Sequence, residues 1–348
     1  SIEMNALFTH YRGLPRFPLA FLPTPVHSLD RLSAALGGPR ILIKRDDQTG
    51  LCSGGNKSRK LEFLIADALQ QKADVVITAG AVQSNHCQQT AAAAVLAGLQ
   101  CELVLNGIAP EIPNGNHLLD LFLGARLHFT DRPHRNQRMQ QAADDCLARG
   151  LRPYVIPIGG STGLGALGYC LAMEELNEQL QAVGERVDVI VVASSSGGTQ
   201  AGLALGARLC GFTGRVLGIS IDNDKLDGAP FQTELSKIAG EACRRLGLSI
   251  PLAPDAFDVQ YDYLGQGYGV VGDLEAKAIA VAGRTEGLLL DPVYTGRAFG
   301  ALLDLIRNKV FSSSQTVLFW HTGGSAALFA YAAELDQRIN GSRPEPAA

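Results

Sequence analysis

Ser53-Gly54-Gly55-Asn56-Lys57-Ser58-Arg59-Lys60 decides how the rest of this chain is read. It is a small, flexible turn that delivers a lysine to the start of a helix in which Leu61, Phe63, Leu64, Ala66 and Leu69 share one apolar face. Two glycines let the backbone pass close to a bound group, and the positive end of a helix dipole favours a deprotonated, nucleophilic amine on Lys57. Taken alone, the same residues also describe a solvated lysine at a helix start, because most lysines are exposed. The choice depends on what distant segments bring to the turn.

Outward from the turn, short apolar runs alternate with helical periods. Strands are predicted at residues 41–44, 75–78, 102–105, 126–129, 154–156, 189–192, 216–220 and 316–320. Helices are predicted near 84–96, 118–123, 136–149, 163–180, 200–209, 230–246, 271–285, 296–308 and 325–335. Such alternation means parallel sheets with crossover helices, and Val189-Ile190-Val191-Val192 has the all-apolar character of a strand buried on both faces. Residues 1–40, with Pro15, Pro18, Pro23 and Pro25, read as an arm with turns; Ser1 reads as a processed or cloning-derived end, and 341–348 as a frayed tail. No linker divides the chain, so a second domain is expected to be inserted rather than strung in tandem.

Composition narrows the classes. A chain of 348 residues, 46% hydrophobic with 39 glycines, is globular α/β and long enough for about two domains of about 150 residues. Lys plus Arg of 30 against Asp plus Glu of 34 leaves a net charge of −4 without a basic block, which argues against nucleic acid. The early apolar run Phe17-Pro18-Leu19-Ala20-Phe21-Leu22 is too short and too broken by proline for a membrane span. Seven scattered cysteines without a Cys-x-x-Cys pair form neither a disulfide framework nor a zinc site, and fit a reducing cytoplasm.

Four loops at strand ends carry polar residues, where open α/β sheets place their ligands. Ala193-Ser194-Ser195-Ser196-Gly197-Gly198-Thr199 combines hydroxyls, glycines and a helix start into an anion cradle, with neither a Gly-x-x-x-x-Gly-Lys nor a Gly-x-Gly-x-x-Gly nucleotide fingerprint. A small phosphorylated cofactor fits it. Gly80-Ala81-Val82-Gln83-Ser84-Asn85-His86 can hold a carboxylate and a ring hydroxyl at a second helix start. Asp291-Pro292-Val293-Tyr294-Thr295-Gly296-Arg297 and His321-Thr322-Gly323-Gly324-Ser325 are routine turns when read singly, and His321 is more often a satisfied histidine than a catalyst. Together, a lysine on a glycine turn, a phosphate cradle and polar loops meet the needs of pyridoxal phosphate: a Schiff-base amine, an anion nest and a partner for the pyridine nitrogen.

The runs Ser53 to Glu62, Gln83-Ser84-Asn85-His86, Leu290 to Gly296 and His321-Thr322-Gly323-Gly324 resemble the D-cysteine desulfhydrase, L-cysteate sulfo-lyase and 1-aminocyclopropane-1-carboxylate deaminase group, in the same order from about residue 15 to 332. The resemblance implies the tryptophan-synthase-β-like fold type II, with two open twisted, mostly parallel sheets flanked by helices. It implies a large cofactor-binding domain from residues 1–55 and 169–348, a smaller inserted domain at 56–168, and a homodimer. It makes Lys57 the Schiff-base lysine and Ser195, Ser196, Gly197, Gly198 and Thr199 the phosphate cup. Asn85 then faces the ring hydroxyl, and Thr322 the pyridine nitrogen. Ser84, with the amides of Asn85 and His86, holds the substrate carboxylate, and Tyr268 and Tyr294 match the family's two active-site tyrosines.

Within the group, the deaminases carry glutamate where this chain has Thr295, and glutamine in place of His86, so cyclopropane opening is disfavoured. β-Elimination from a sulfur-containing amino acid, to pyruvate and ammonia, suits a threonine at the pyridine nitrogen. The leaving group divides the signals. Tyr294-Thr295-Gly296 resembles the desulfhydrases, whereas Thr49-Gly50-Leu51 and Gly198-Thr199-Gln200-Ala201-Gly202 resemble the sulfo-lyases. Thr295, expected beside the substrate, tips the reading to D-cysteine, with L-cysteate as the alternative. A dehydrogenase is opposed by Lys57 and the missing fingerprint; a cofactor-binding module without turnover differs from an enzyme only by assay.

Overall fold

The computed structural model describes residues 8–222 and 230–340; Ser1 and the tail at 341–348 lie outside the described residues. Two open sheets organise the chain. The larger has six strands in the spatial order Asp258–Gln260, Arg215–Ser220, Val189–Ser194, Thr316–His321, Arg40–Arg45 and Val26–Ser28. All its pairings are parallel except that of the Val26–Ser28 edge. The smaller sheet, in the order Arg126–Thr130, Gln100–Asn106, Val75–Ala81 and Pro153–Val155, is parallel throughout. Its strands lie in the chain between Arg40–Arg45 and Val189–Ser194, so the chain leaves the large sheet, builds the small one and returns.

The strands form where the sequence is apolar and β-branched, and central ones such as Val189–Ser194 are buried on both faces. The join expected at residue 168 falls inside a single helix, Gly163–Val183, which runs on unbroken. Gly168 explains the close packing there: a Cβ on it would lie 2.4 Å from the Arg59 carbonyl oxygen on the helix Lys57–Gln70. The proline-rich start is also more ordered than an arm with turns. Thr9–Tyr11 and Leu14–Arg16 form an antiparallel pair, Val26–Ser28 edges the large sheet, and Asp30–Leu36 is helical. Strands of three residues are too short to show a period, which is why the sequence pattern misses them. The helix expected at 325–335 is broken into Ser325–Leu328, a 3₁₀ turn at Phe329–Tyr331 and Ala332–Asn340. No helix among the described residues is long and apolar enough to cross a membrane.

A buried polar knot fixes the helix that Lys57 begins. Asp46 accepts hydrogen bonds from Arg59 Nε at 2.8 Å, Tyr169 Oη at 2.6 Å, Trp320 Nε1 at 2.9 Å and Thr24 Oγ1 at 2.7 Å, all within the core. Arg59 Nη2 reaches on to Glu175 at 2.7 Å. Burial alone would raise the Asp46 carboxyl, but the Arg59 guanidinium holds it well below the usual carboxylate range. Such a pair adds little net stability over apolar packing, yet losing one partner strands the other charge. Its effect is to set the register of Lys57–Gln70 against Gly163–Val183 and the strand Thr316–His321.

Candidate active site

Loops from the carboxyl ends of strands in both sheets meet at one cavity, as open α/β sheets dispose their ligand sites. Lys57 is the first residue of its helix and lines that cavity. Its turn is clamped to the loop after Thr316–His321: Gly55 and Gly323 form a bridge, and Asn56 N donates to the Thr322 carbonyl at 3.0 Å. At Gly55, with φ of +139°, a Cβ would lie 2.4 Å from Gln89 Nε2 and 3.1 Å from the Thr322 oxygen. Glycine is therefore required where the lysine turn and the threonine loop touch. His321 serves this clamp and not the cavity: fully buried, its Nε2 donates to the Leu289 carbonyl and its Nδ1 accepts from Gly323 N.

The Lys57 Nζ donates to the Gly159 carbonyl at 3.1 Å. Burial pulls its amine down to about 8. The residue one helical turn on, Lys60, is 1% exposed, and its acceptors among the described residues are neutral oxygens, Gly159 O at 3.4 Å and Ser161 Oγ at 3.5 Å. Burial, and then the neighbouring Lys57, hold Lys60 well below the usual ammonium range.

Ser195, Ser196, Gly197 and Thr199 line the cavity at the start of the helix Gly198–Cys210. Gly198 is set back from it, its N–H donating to Ser161 Oγ at 2.9 Å, while Ser161 in turn donates to Ser196 Oγ at 2.6 Å. Thr199 Oγ1 accepts from Asn56 Nδ2 at 3.0 Å, which ties this loop to the lysine turn. Across the cavity, Ser84 caps the helix Asn85–Ala97 by accepting from Cys87 N at 3.1 Å. The Asn85 side-chain oxygen accepts from Asn116 Nδ2 at 2.7 Å, leaving its NH₂ donors for the cavity. His86 Nε2 donates to Thr78 Oγ1 at 2.9 Å, because that hydroxyl's own proton goes to the Ile156 carbonyl at 2.7 Å. Burial, with Lys57 and Lys60 near it, keeps the His86 ring neutral, so what it can offer an anion is its backbone N–H.

Tyr268 and Tyr294 both face the cavity, joined hydroxyl to hydroxyl with rings edge to face at 5.8 Å. Burial pushes Tyr268 up to about 12 and Tyr294 well above the usual phenol range, so both keep their phenolic protons at neutral pH. Thr295 does not join them. It is fully buried behind the cavity, where its hydroxyl donates to Asp291 Oδ1 at 2.8 Å and accepts from Asp291 N at 2.9 Å. Its place as first residue of the helix Thr295–Arg307 turns it toward the capping carboxylate, so the expectation that it touches substrate is corrected. Thr295→Val, which keeps the shape and loses both bonds, is expected to lower unfolding free energy by about 1–2 kcal/mol in denaturant titrations while leaving ligand binding in the cavity intact.

The residues present fit a phosphorylated pyridine aldehyde. A Cβ on Gly159 would lie 2.2 Å from Ser196 Oγ and 3.3 Å from Lys57 Nζ, so the cleft between lysine and cup is kept open by a missing side chain. Lys60 does not line the cavity itself but stands behind the cup, its Nζ 3.1 Å from where a Cβ on Gly198 would lie, a buried amine with no carboxylate hydrogen-bonded to it among the described residues. A family model described as pyridoxal-phosphate dependent enzyme matches residues 18–323.

The chain belongs to the pyridoxal-phosphate dependent enzymes.

As a member of that family it uses pyridoxal phosphate, and the expectation of fold type II is borne out. A D-cysteine desulfhydrase of Salmonella newport (strain SL254) is 43% identical over 330 residues, covering 92% of this chain and 98% of its own. That of Salmonella enteritidis PT4 (strain P125109) gives the same figures. A crystal structure described as an ACC deaminase homologue superposes with a TM-score of 0.84 at 39% identity, over 92% of this chain and 95% of that one. The processed form of threonine deaminase isoform 2 from Solanum lycopersicum, at 17% identity and a TM-score of 0.64 over 92% and 84% of the chains, shares the fold.

Proposed function

We propose that this pyridoxal-phosphate dependent enzyme is a carbon–sulfur lyase that acts by β-elimination, with D-cysteine as substrate and pyruvate, ammonia and sulfide as products. The supporting observation is identity of 43% across 92% of the chain to D-cysteine desulfhydrase, together with the meeting of Lys57, Ser84 and the tyrosine pair at one cavity. Thr295, buried against Asp291, does not bear on the leaving group. Lys57 would hold the cofactor covalently, the Ser195-to-Thr199 loop with Lys60 its phosphate, the Asn85 amide its ring hydroxyl, and Thr322 its pyridine nitrogen. When bound there, pyridoxal phosphate supplies the electron sink that makes the substrate's Cα–H acidic.

The chain supplies the rest. Ser84, with the N–H groups of Asn85 and His86 at a helix start, orients the substrate carboxylate. The Lys57 amine, close to neutral-pH titration, takes the Cα proton. Tyr268 and Tyr294, held as phenols, offer hydrogen bonds to the departing sulfur. Capture of pyridoxal phosphate by the apoprotein is therefore expected to accelerate as pH rises through about 8, slowing about tenfold per unit below it, as followed by stopped-flow absorbance. A rate flat between pH 6 and 9 would contradict this role for the amine.

The protein is further read as cytoplasmic, which fits seven cysteines unpaired in the fold, and as a homodimer, which light scattering on the eluting protein would test. The function itself is tested by giving purified holoenzyme D-cysteine, L-cysteine and L-cysteate and measuring sulfide, sulfite and pyruvate. Sulfide and pyruvate from D-cysteine are expected; sulfite and pyruvate from L-cysteate alone would overturn the substrate.

A further inference from the structure

Two guanidinium groups in the cavity wall have no part in the roles above. Arg132 follows the strand Arg126–Thr130, Arg135 opens the helix Arg135–Ala148, and both line the cavity that Lys57 and Tyr268 line. Arg132 is anchored: it pairs with Asp222 at 2.7 Å and lies 5.7 Å from the Tyr268 ring centroid. Arg135 is half-buried. Its Nη1 donates to Asn106 Oδ1 at 2.9 Å, and its Nε, buried, meets no acceptor among the described residues.

Among the described residues the Arg135 side chain hydrogen-bonds only the neutral Asn106 oxygen; the Asp222 carboxylate acts on it through space but is paired with Arg132. A cation withdrawn from water costs free energy unless an anion meets it. In a cavity wall, that anion can come with the ligand. We propose that Arg135, with Arg132 beside it, forms a subsite for negative charge on the substrate's β-sulfur, and that amino acids bearing a β-sulfonate bind here more tightly than neutral ones of the same shape.

The inference rests on the elimination reading and gives it a leaving-group site. In that reaction the Cα–H electron pair becomes the Cα–Cβ double bond, the proton goes to the Lys57 amine, and the sulfur departs with the Cβ–S pair. Charge thus grows on sulfur during the step, as hydrosulfide from cysteine or sulfite from a sulfonate. A guanidinium already in place stabilises that growth without reorganisation.

The test uses holoenzyme turning over β-chloro-D-alanine, whose β-group is neutral, with cysteate of either configuration and its neutral sulfonamide as competitors. Cysteate is expected to bind at least about tenfold more tightly than the sulfonamide. Arg135→Gln should bring the ratio toward one, and Arg135→Lys should keep part of it. Equal affinities in the wild type would overturn the subsite while β-chloro-D-alanine turnover still supported elimination. Absence of that turnover would instead overturn the elimination reading. If Arg135→Gln fails to fold, the wild-type ratio and Arg135→Lys still decide.

Discussion

Lys57→Ala is expected to lower turnover on the order of 10⁴-fold or more, because one side chain is asked both to hold the cofactor and to move the Cα proton. The variant, given pyridoxal phosphate, should lack the yellow absorbance of the wild type. Its fold should survive, since the turn is held by the Gly55–Gly323 bridge and by Asn56 N on the Thr322 carbonyl, neither of which uses the lysine side chain. A surface lysine would behave quite differently: its replacement changes stability by about 0.5 kcal/mol or less and leaves activity alone. Near-normal turnover by Lys57→Ala would return Lys57 to that class.

Lys60→Met carries the second large effect, in two directions at once. The side chain is 1% exposed, and among the described residues its Nζ has the Gly159 carbonyl and Ser161 hydroxyl as acceptors, with the Lys57 amine beside it. Without a phosphate, the ammonium form is costly there. With one, a charge-assisted bond of about 1.5–3 kcal/mol becomes available. Methionine of similar length is therefore expected to weaken pyridoxal phosphate binding on the order of 100-fold in absorbance titrations, while the apoprotein becomes no less stable to denaturant. Loss of apoprotein stability with unchanged cofactor affinity would make Lys60 a packing residue.

How much of this was legible in the sequence follows from the period of each signal. Strands such as Val189–Ser194 and helices such as Gly198–Cys210 announce themselves because burial on one or both faces forces an apolar pattern. Val26–Ser28 and Asp258–Gln260 do not, since three residues at a sheet edge need no pattern. In the site, residues next to glycine turns were visible: Lys57, Ser84, Ser195, Ser196, Thr199 and Thr322 all line the cavity. Tyr268 and Tyr294 came only through family resemblance. Thr295 misled because adjacency to Tyr294 says nothing about direction at a helix start, where one residue faces the cavity and the next caps on Asp291. Lys60 was hidden as one cation among three in Lys57-Ser58-Arg59-Lys60, though one helical turn from Lys57 is the spacing that puts both amines on one side. Asn106, Arg132 and Asp222 sit at or just past strand ends, so the rule that found the four loops, applied to every strand, would have found them too.

Which amine carries the cofactor can be read directly. Holoenzyme reduced with borohydride, digested and mapped by mass spectrometry should carry its pyridoxyl group on Lys57, in a peptide spanning the Ser53-to-Lys60 turn. A pyridoxyl group on Lys60 or on any lysine outside that turn, with Lys57 unmodified, would contradict that assignment.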